Sequence, residues 1–150
     1  MVSERAPRLT RADFRVFRPI TTRWMDNDVY GHVNNVVYFA YFDSIVNGWL
    51  VEQGLLDVKG SPVVGLVVET GCTYFQSIAF PDAIEAGMAV VQLGRSSVRY
   101  QLGIFHAGAE AVAAQGRFVH VYVDRATQKP VEIPVATRTA LEGISLEAAR

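Results

Sequence analysis

Apolar and polar positions follow two rhythms along this chain, and the change of rhythm divides it. Residues 14–25 read as a first strand, leading into the polar cluster Asp26-Asn27-Asp28. Gly31-His32-Val33-Asn34-Asn35 then reads as a turn, with an asparagine well placed to cap a helix. The pattern predicts that helix over residues 35–53. Its apolar residues, from Val36 and Val37 through Tyr41 and Phe42 to Trp49 and Leu50, point in almost every direction around the axis. Such a helix is expected to be buried on nearly all sides. β-Branched and aromatic residues are mediocre helix formers, so tertiary packing must hold it, and Gly54 supplies a stop.

After Gly60 the period becomes two. Strands are predicted over residues 63–75, 84–93, 95–106 and 112–124, with turns at Phe80-Pro81-Asp82 and Asp124-Arg125-Ala126-Thr127. In the third of these, Val98, Tyr100, Leu102 and Ile104 share one face and Ser97, Arg99, Gln101 and Gly103 the other. In the last, Val119, Val121 and Val123 oppose Phe118, His120 and Tyr122. The segment beyond Thr127 reads as a tail or a short final helix. One strand, one long helix and four antiparallel strands make an α+β fold. A single sheet covers a helix on most sides only by curling around it, and a second copy could cover the helix surface left over.

Composition narrows the possibilities. At 150 residues the chain is expected to form one domain, residues 1–150, with about 12 peripheral residues at each end. Half the residues are hydrophobic and 19% are charged, which is a globular balance. A net charge of -1 offers no basic field for a nucleic acid. The most apolar run, residues 33–50, is broken by Asn34, Asn35, Asp43, Ser44 and Asn47, which argues against a membrane span. The first fifteen residues lack the apolar stretch of a signal peptide. A lone cysteine, Cys72, leaves no internal disulfide framework, so a cytoplasmic protein is expected.

Candidate chemistry is concentrated between Arg23 and Tyr38, where two carboxylates, Asp26 and Asp28, lie close to His32 and a helix start. Peptide N–H groups at a helix N-terminus have no intrahelical acceptors, and the aligned dipoles favour negative charge there. Hydrolysis of a thioester needs such donors, aimed at the oxygen that becomes an oxyanion. A carboxylate just upstream can attack the carbonyl or activate a water. Asp26 reads as solvated or structural. Elsewhere the residues are bland: Ser96 and Ser97 lack a nucleophile elbow, Cys72 has no activating partner, and His106 and His120 show no ligand spacing, so no metal is expected.

The string Trp24-Met25-Asp26-Asn27-Asp28, followed by Gly31-His32-Val33-Asn34-Asn35 and Tyr38, resembles the hot-dog-fold thioesterases. The similarity is to bacterial 4-hydroxybenzoyl-CoA and short-chain acyl-CoA enzymes and, in the motif, to plant acyl-carrier-protein thioesterases. It extends to Tyr74-Phe75, Phe80-Pro81-Asp82, the Gly94-Arg95-Ser96-Ser97 turn and residues 119–124. The resemblance implies a hot-dog fold, with a curved antiparallel sheet of about five strands around a long central helix. It implies an acyl-CoA thioesterase in which Asp28 is the catalytic carboxylate and the N–H near Asn35 polarises the carbonyl. His32 matches a histidine the plant enzymes use and the bacterial 4-hydroxybenzoyl enzymes do without. Tyr30 stands where the plant enzymes carry a catalytic asparagine, so Asp28 alone is expected to be essential. Tyr30, Tyr38, Asp43, Arg95 and Ser97 are the implied substrate-binding residues, Asp43 in the acyl pocket and Arg95 at the nucleotide. Arg99 and Arg117 are weaker candidates. Coenzyme A enters as part of the substrate and no separate cofactor is expected. The family habit implies a homodimer or a dimer of dimers.

Two alternatives remain open. A hot-dog hydratase or dehydratase places its histidine five residues after the aspartate, beside an Asn-Pro; here the separation is four and no proline follows. A non-catalytic acyl-thioester binder would bind ligand without turnover even after Asp28 is removed.

Overall fold

The computed structural model describes residues 6–146. Five strands, β1 (Val16–Ile20), β2 (Val63–Tyr74), β3 (Ile84–Leu93), β4 (Ser97–His106) and β5 (Ala114–Asp124), form one antiparallel sheet in the order β1-β3-β4-β5-β2. The long helix α1 (Val37–Glu52) fills its concave face, and a short helix α2 (Val135–Gly143) follows β5. This is the hot-dog fold that the sequence pattern and the resemblance imply.

Burial along α1 explains how a poor helix former holds its shape. Tyr38, Tyr41, Phe42, Ile45, Val46, Trp49 and Leu50 are all buried, against Val98, Tyr100, Leu102, Ile104 and Phe118 of the sheet. Contact is close enough to require glycine at Gly116, where a Cβ would fall 2.5 Å from the Phe42 ring. Fully burying each such side chain contributes roughly 1.5–3 kcal/mol. The alternation read for β4 is observed, with Val98, Tyr100, Leu102 and Ile104 fully buried. A smaller apolar cluster of Phe14, Phe105 and Val112 lies on the outer face of the sheet.

Several boundaries differ from expectation. The strand expected over residues 14–25 ends at Ile20, and a 3-10 turn occupies Trp24–Asp26. The cause is local: the Arg23 N–H donates to the Asp26 carboxylate and the Asp26 N–H to the Arg23 carbonyl, both at 2.9 Å, closing a turn where the pattern suggested extension. Helix α1 starts at Val37 instead of residue 35, with Val36 as its N-cap, and Asn34 closes a turn just ahead of it. The Asn34 carbonyl accepts from Val37 N at 2.9 Å and its side chain from Val36 N at 3.0 Å. Nor is α1 buried all round: Ala40, Asp43, Ser44 and Val51 form an exposed strip. Arg95 lies in the β3–β4 turn and not in a strand.

Of the peripheral ends, residues 1–5 and 147–150 lie outside the described residues. Residues 7–14 run along the sheet, where Leu9 N donates to Gln115 Oε1 at 2.8 Å and Gln115 Nε2 to the Pro7 carbonyl at 2.9 Å. Leu141 of α2 is fully buried in the main core.

Candidate active site

The segment between β1 and α1 folds back on itself as a short hairpin. Asn27 bridges Val33, the Asp28 N–H donates to the His32 carbonyl at 2.9 Å, and the Asn34 N–H donates to the Asp26 carbonyl at 2.9 Å. Asp28 therefore faces His32, and Asp26 faces Asn34, which closes the turn ahead of α1. Gly31 at the tip has φ +81°, a left-handed conformation that glycine adopts without strain. The hairpin brings the motif residues Asp28, His32 and Asn35 to the N-terminal end of a sixteen-residue buried helix.

Asp28 is half-buried. Its Oδ1 accepts from the Tyr30 N–H at 2.8 Å, which fixes the carboxylate orientation, while its Oδ2 has no hydrogen-bond partner among the described residues. The Asn35 N–H likewise has no acceptor among the described residues. The peptide that carries this N–H is held at its other end, where the Asn34 carbonyl accepts from Val37 N at 2.9 Å, and the next one is held by the Tyr74 hydroxyl, which donates to the Asn35 carbonyl at 3.0 Å. A carboxylate oxygen and a peptide donor with positive dipole character thus lie on one loop–helix junction. His32 is exposed.

Asp26 anchors the junction, a role richer than the structural or solvated one expected. It is only 1% exposed. Its Oδ2 accepts from the Tyr41 hydroxyl at 2.8 Å and from Arg23 N at 2.9 Å, and its Oδ1 from Arg23 Nε at 3.1 Å. Burial pushes its carboxyl upward, but the Tyr41 hydroxyl, the Arg23 N–H and the Arg23 guanidinium outweigh this and hold it below the ordinary aspartate value. Asn27 adds a tie, its Oδ1 accepting from Phe80 N at 2.9 Å, and Val33 N donates to the Ile78 carbonyl at 2.8 Å. Sequence reading missed Asp26 and Tyr41 as a pair. Period-two alternation would put Asp26 and Asp28 on one face, and it is the 3-10 turn at Trp24–Asp26 that separates them, so local patterning held no signal for the pair.

Beneath the hairpin lies a floor of tyrosines. Tyr38, 3% exposed, packs edge-on against Tyr74 at 4.9 Å and Tyr41 at 6.1 Å. Burial pushes the Tyr38 phenol up to about 12, so it offers an apolar wall and a neutral hydroxyl, not a base. Tyr30, at the hairpin tip, is 83% exposed. It belongs to an apolar rim with Trp24, Met25, Val29 and Val36, all exposed.

The remaining candidates are placed elsewhere. Asp43 lies on the exposed strip of α1, where partial desolvation raises its carboxyl. A cavity of about 350 Å³ opens beside that strip, lined by Ile20, Arg23, Ala40, Tyr41 and Ser44. Arg95 and Ser97 sit at the β3–β4 turn, whereas the Asp28 hairpin lies at the Ile84 end of β3, as the Asn27–Phe80 bond shows. Ten strand residues separate these ends, roughly 30 Å. One chain does not bring Arg95 or Ser97 to Asp28. Arg117 pairs with Glu69 at 2.8 Å, and Arg99 is exposed on the same outer face. Among the described residues no group of three or more His, Cys, Asp or Glu side chains could hold a metal ion. No helix among them is long and apolar enough to cross a membrane.

Residues 22–141 match the thioesterase-like superfamily, and the chain belongs to that family. It is similar to the solved structure of the PA5185 protein from Pseudomonas aeruginosa strain PAO1, with 51% identity, a TM-score of 0.90, and coverage of 93% of this chain and 97% of the other. It is also similar to a thioesterase from Thermus thermophilus solved with coenzyme A and zinc, with 27% identity, a TM-score of 0.72, and coverage of 87% and 95%. Against the Bacillus subtilis (strain 168) protein YsmA it is 20% identical over 88 residues, which span 59% of each chain.

Proposed function

We propose that this protein is an acyl-CoA thioesterase that releases a free acid and coenzyme A, with Asp28 as its catalytic carboxylate. The observation that carries the reading is the Asp28 carboxylate, with Oδ2 unpartnered among the described residues, on a hairpin braced to the N-terminus of α1 beside the unpaired Asn35 N–H. As nucleophile, Oδ2 bonds to the thioester carbonyl carbon, the carbon–sulfur bond breaks, and coenzyme A leaves as thiolate. Water then hydrolyses the mixed anhydride. As general base, Asp28 instead takes a proton from the water that adds to the carbonyl. Either route places negative charge on the carbonyl oxygen, where the Asn35 N–H and the helix dipole stabilise it. The tyrosine floor and the apolar rim suit an apolar acyl or aryl group. Membership of the thioesterase-like superfamily supports the reaction class, and the relative solved with coenzyme A supports the leaving group.

The working form in this proposal is a homodimer. Strand β2 is an edge of the sheet, twelve residues long, with Leu66, Val67 and Val68 exposed. An open apolar edge of that length is a template for another strand. Antiparallel pairing of two β2 edges about a two-fold axis sets the Val63 end of one copy beside the Tyr74 end of the other. Tyr74 touches Asn35, so the far end of a second copy, which carries its Arg95–Ser97 turn, moves toward the Asp28 hairpin. Arg95 then serves the nucleotide across the interface.

The test is thiol release from a panel of short, long and aromatic acyl-CoAs. Turnover of at least one class is the expected result. Saturable binding with no turnover anywhere in the panel overturns the reading in favour of a non-catalytic acyl-thioester binder.

A further inference from the structure

Toward the C-terminal half of α1, away from the Asp28 hairpin, three polar atoms are buried with no hydrogen-bond partner among the described residues. They are Tyr100 Oη, Tyr122 Oη and His120 Nδ1. Their residues are 0%, 4% and 1% exposed. All three project from β4 and β5 toward the concave face, with the His120 ring edge-on to Tyr100 at 5.9 Å and to Tyr122 at 6.4 Å. The two hydroxyls face each other at the margin of a hydrogen bond, so the pair meets part of its own need, while His120 Nδ1 is left with no partner among the described residues. Burial pulls His120 down to about 4 and pushes Tyr122 up to about 12, so the cluster is neutral near pH 7. Stable cores leave few buried polar atoms unpaired, because the hydration they lose must be replaced.

Room for a replacement adjoins Tyr122. Asn47, Leu50, Gly65 and Tyr122 help enclose a cavity of about 30 Å³, and one water needs roughly 10–15 Å³ by the same measure. Gly65 keeps the space clear beside the imidazole, since a Cβ there would lie 2.7 Å from His120 Nδ1. Tyr122, Leu55 and Val63 also line a larger cavity of about 350 Å³ that reaches Pro62, Pro134 and Thr137. Among the described residues, no Asp, Glu, Lys or Arg lines either space. A charged group would find no counter-charge there, whereas a neutral group that both donates and accepts would meet the Tyr122 side chain directly and, past Gly65, the His120 imidazole, with the Tyr100 ring next to it.

We propose that Tyr100, His120 and Tyr122 form a binding site for one neutral hydroxyl group. Its two sources are water held in the small cavity and the hydroxyl of a small apolar alcohol or phenol entering from the larger one. The proposal is independent of the chemistry at Asp28.

The experiment is NMR of the full chain with labelled histidine, in which only His32, His106 and His120 contribute signals. Water is probed by magnetisation transfer to the His120 ring, and the organic source by titration with phenol against benzene. A water contact at His120 that disappears in Tyr122→Phe assigns the site to water. A saturable phenol shift at His120, absent with benzene and weakened about tenfold in Tyr122→Phe, assigns it to an organic hydroxyl. Tyr100→Phe repeats the comparison, and near-UV circular dichroism checks that both variants are folded. Absence of both water contact and phenol response, or equal responses to phenol and benzene, overturns the proposal.

Discussion

Removing one oxygen atom from Tyr41 should loosen the junction on which the candidate site rests. In Tyr41→Phe the ring keeps its place in α1, but the buried Asp26 carboxylate loses the donor now 2.8 Å from Oδ2. The Arg23 N–H at 2.9 Å and Arg23 Nε at 3.1 Å remain, so the charge is left under-solvated and not abandoned. At 1% exposure no bulk water takes the vacant position. A hydrogen bond to a charged group contributes about 1.5–3 kcal/mol, and that is the expected loss of stability. In a chain of this size it lowers Tm by about 3–12 °C. The pH dependence follows from the same contacts. Asp26 is held below its ordinary value of 3.8, so its contribution is present above that pH and is lost as pH falls through the lowered folded value. Without the Tyr41 hydroxyl the folded value rises toward the unfolded one, so the variant, less stable at pH 7, should lose less further stability between pH 7 and pH 3 than the wild type does. Calorimetry and urea unfolding between pH 3 and pH 7 measure both effects. A loss of less than about 0.5 kcal/mol, with an unchanged acid limb, would refute the anchoring role given to Asp26.

Two further perturbations test other parts of the account. Gly116→Ala drives a Cβ to 2.5 Å from Phe42 and 2.6 Å from the Gly71 carbonyl, and thermal unfolding should show a loss of about 1–3 kcal/mol from overpacking. Val68→Asp puts a charge at the irregularity in the exposed β2 edge, where pairing with β5 shifts register between Val67 and Glu69. Sedimentation should report the variant as a monomer and the wild type as a dimer or larger, and an unchanged oligomer would exclude pairing through β2.

Much of the fold could be read from periodicity, because β4 alternates over residues 97–102 and β5 over residues 118–122, whereas β2, exposed along its middle, and β3, buried along most of its length, alternate little. Helix α1 was legible as buried from its aromatic and β-branched content, but its exposed strip was not. Ala40 and Ser44 have no character that distinguishes a solvent face from a close packing contact. The motif located the Asp28 hairpin, and the resemblance supplied roles for its residues. What stayed illegible depends on long-range partners. Tyr41 meets Asp26 fifteen residues away, Tyr74 meets Asn35 across thirty-nine, and Gln115 holds Leu9 and Pro7 from more than a hundred. Local patterning carries no trace of such pairs. Arg95 shows the converse case, since a plausible phosphate ligand in sequence lies at the wrong end of its own chain for Asp28.

The central claim is tested most directly by comparing thiol release by wild type and Asp28→Asn on whichever acyl-CoA the wild type hydrolyses best. Asparagine preserves the size of the side chain and an oxygen for the Tyr30 N–H, so the hairpin should stay folded. The account predicts that kcat falls by about a hundredfold or more while Tm changes little. Turnover undiminished in a folded Asp28→Asn variant would contradict it and remove Asp28 from the chemistry.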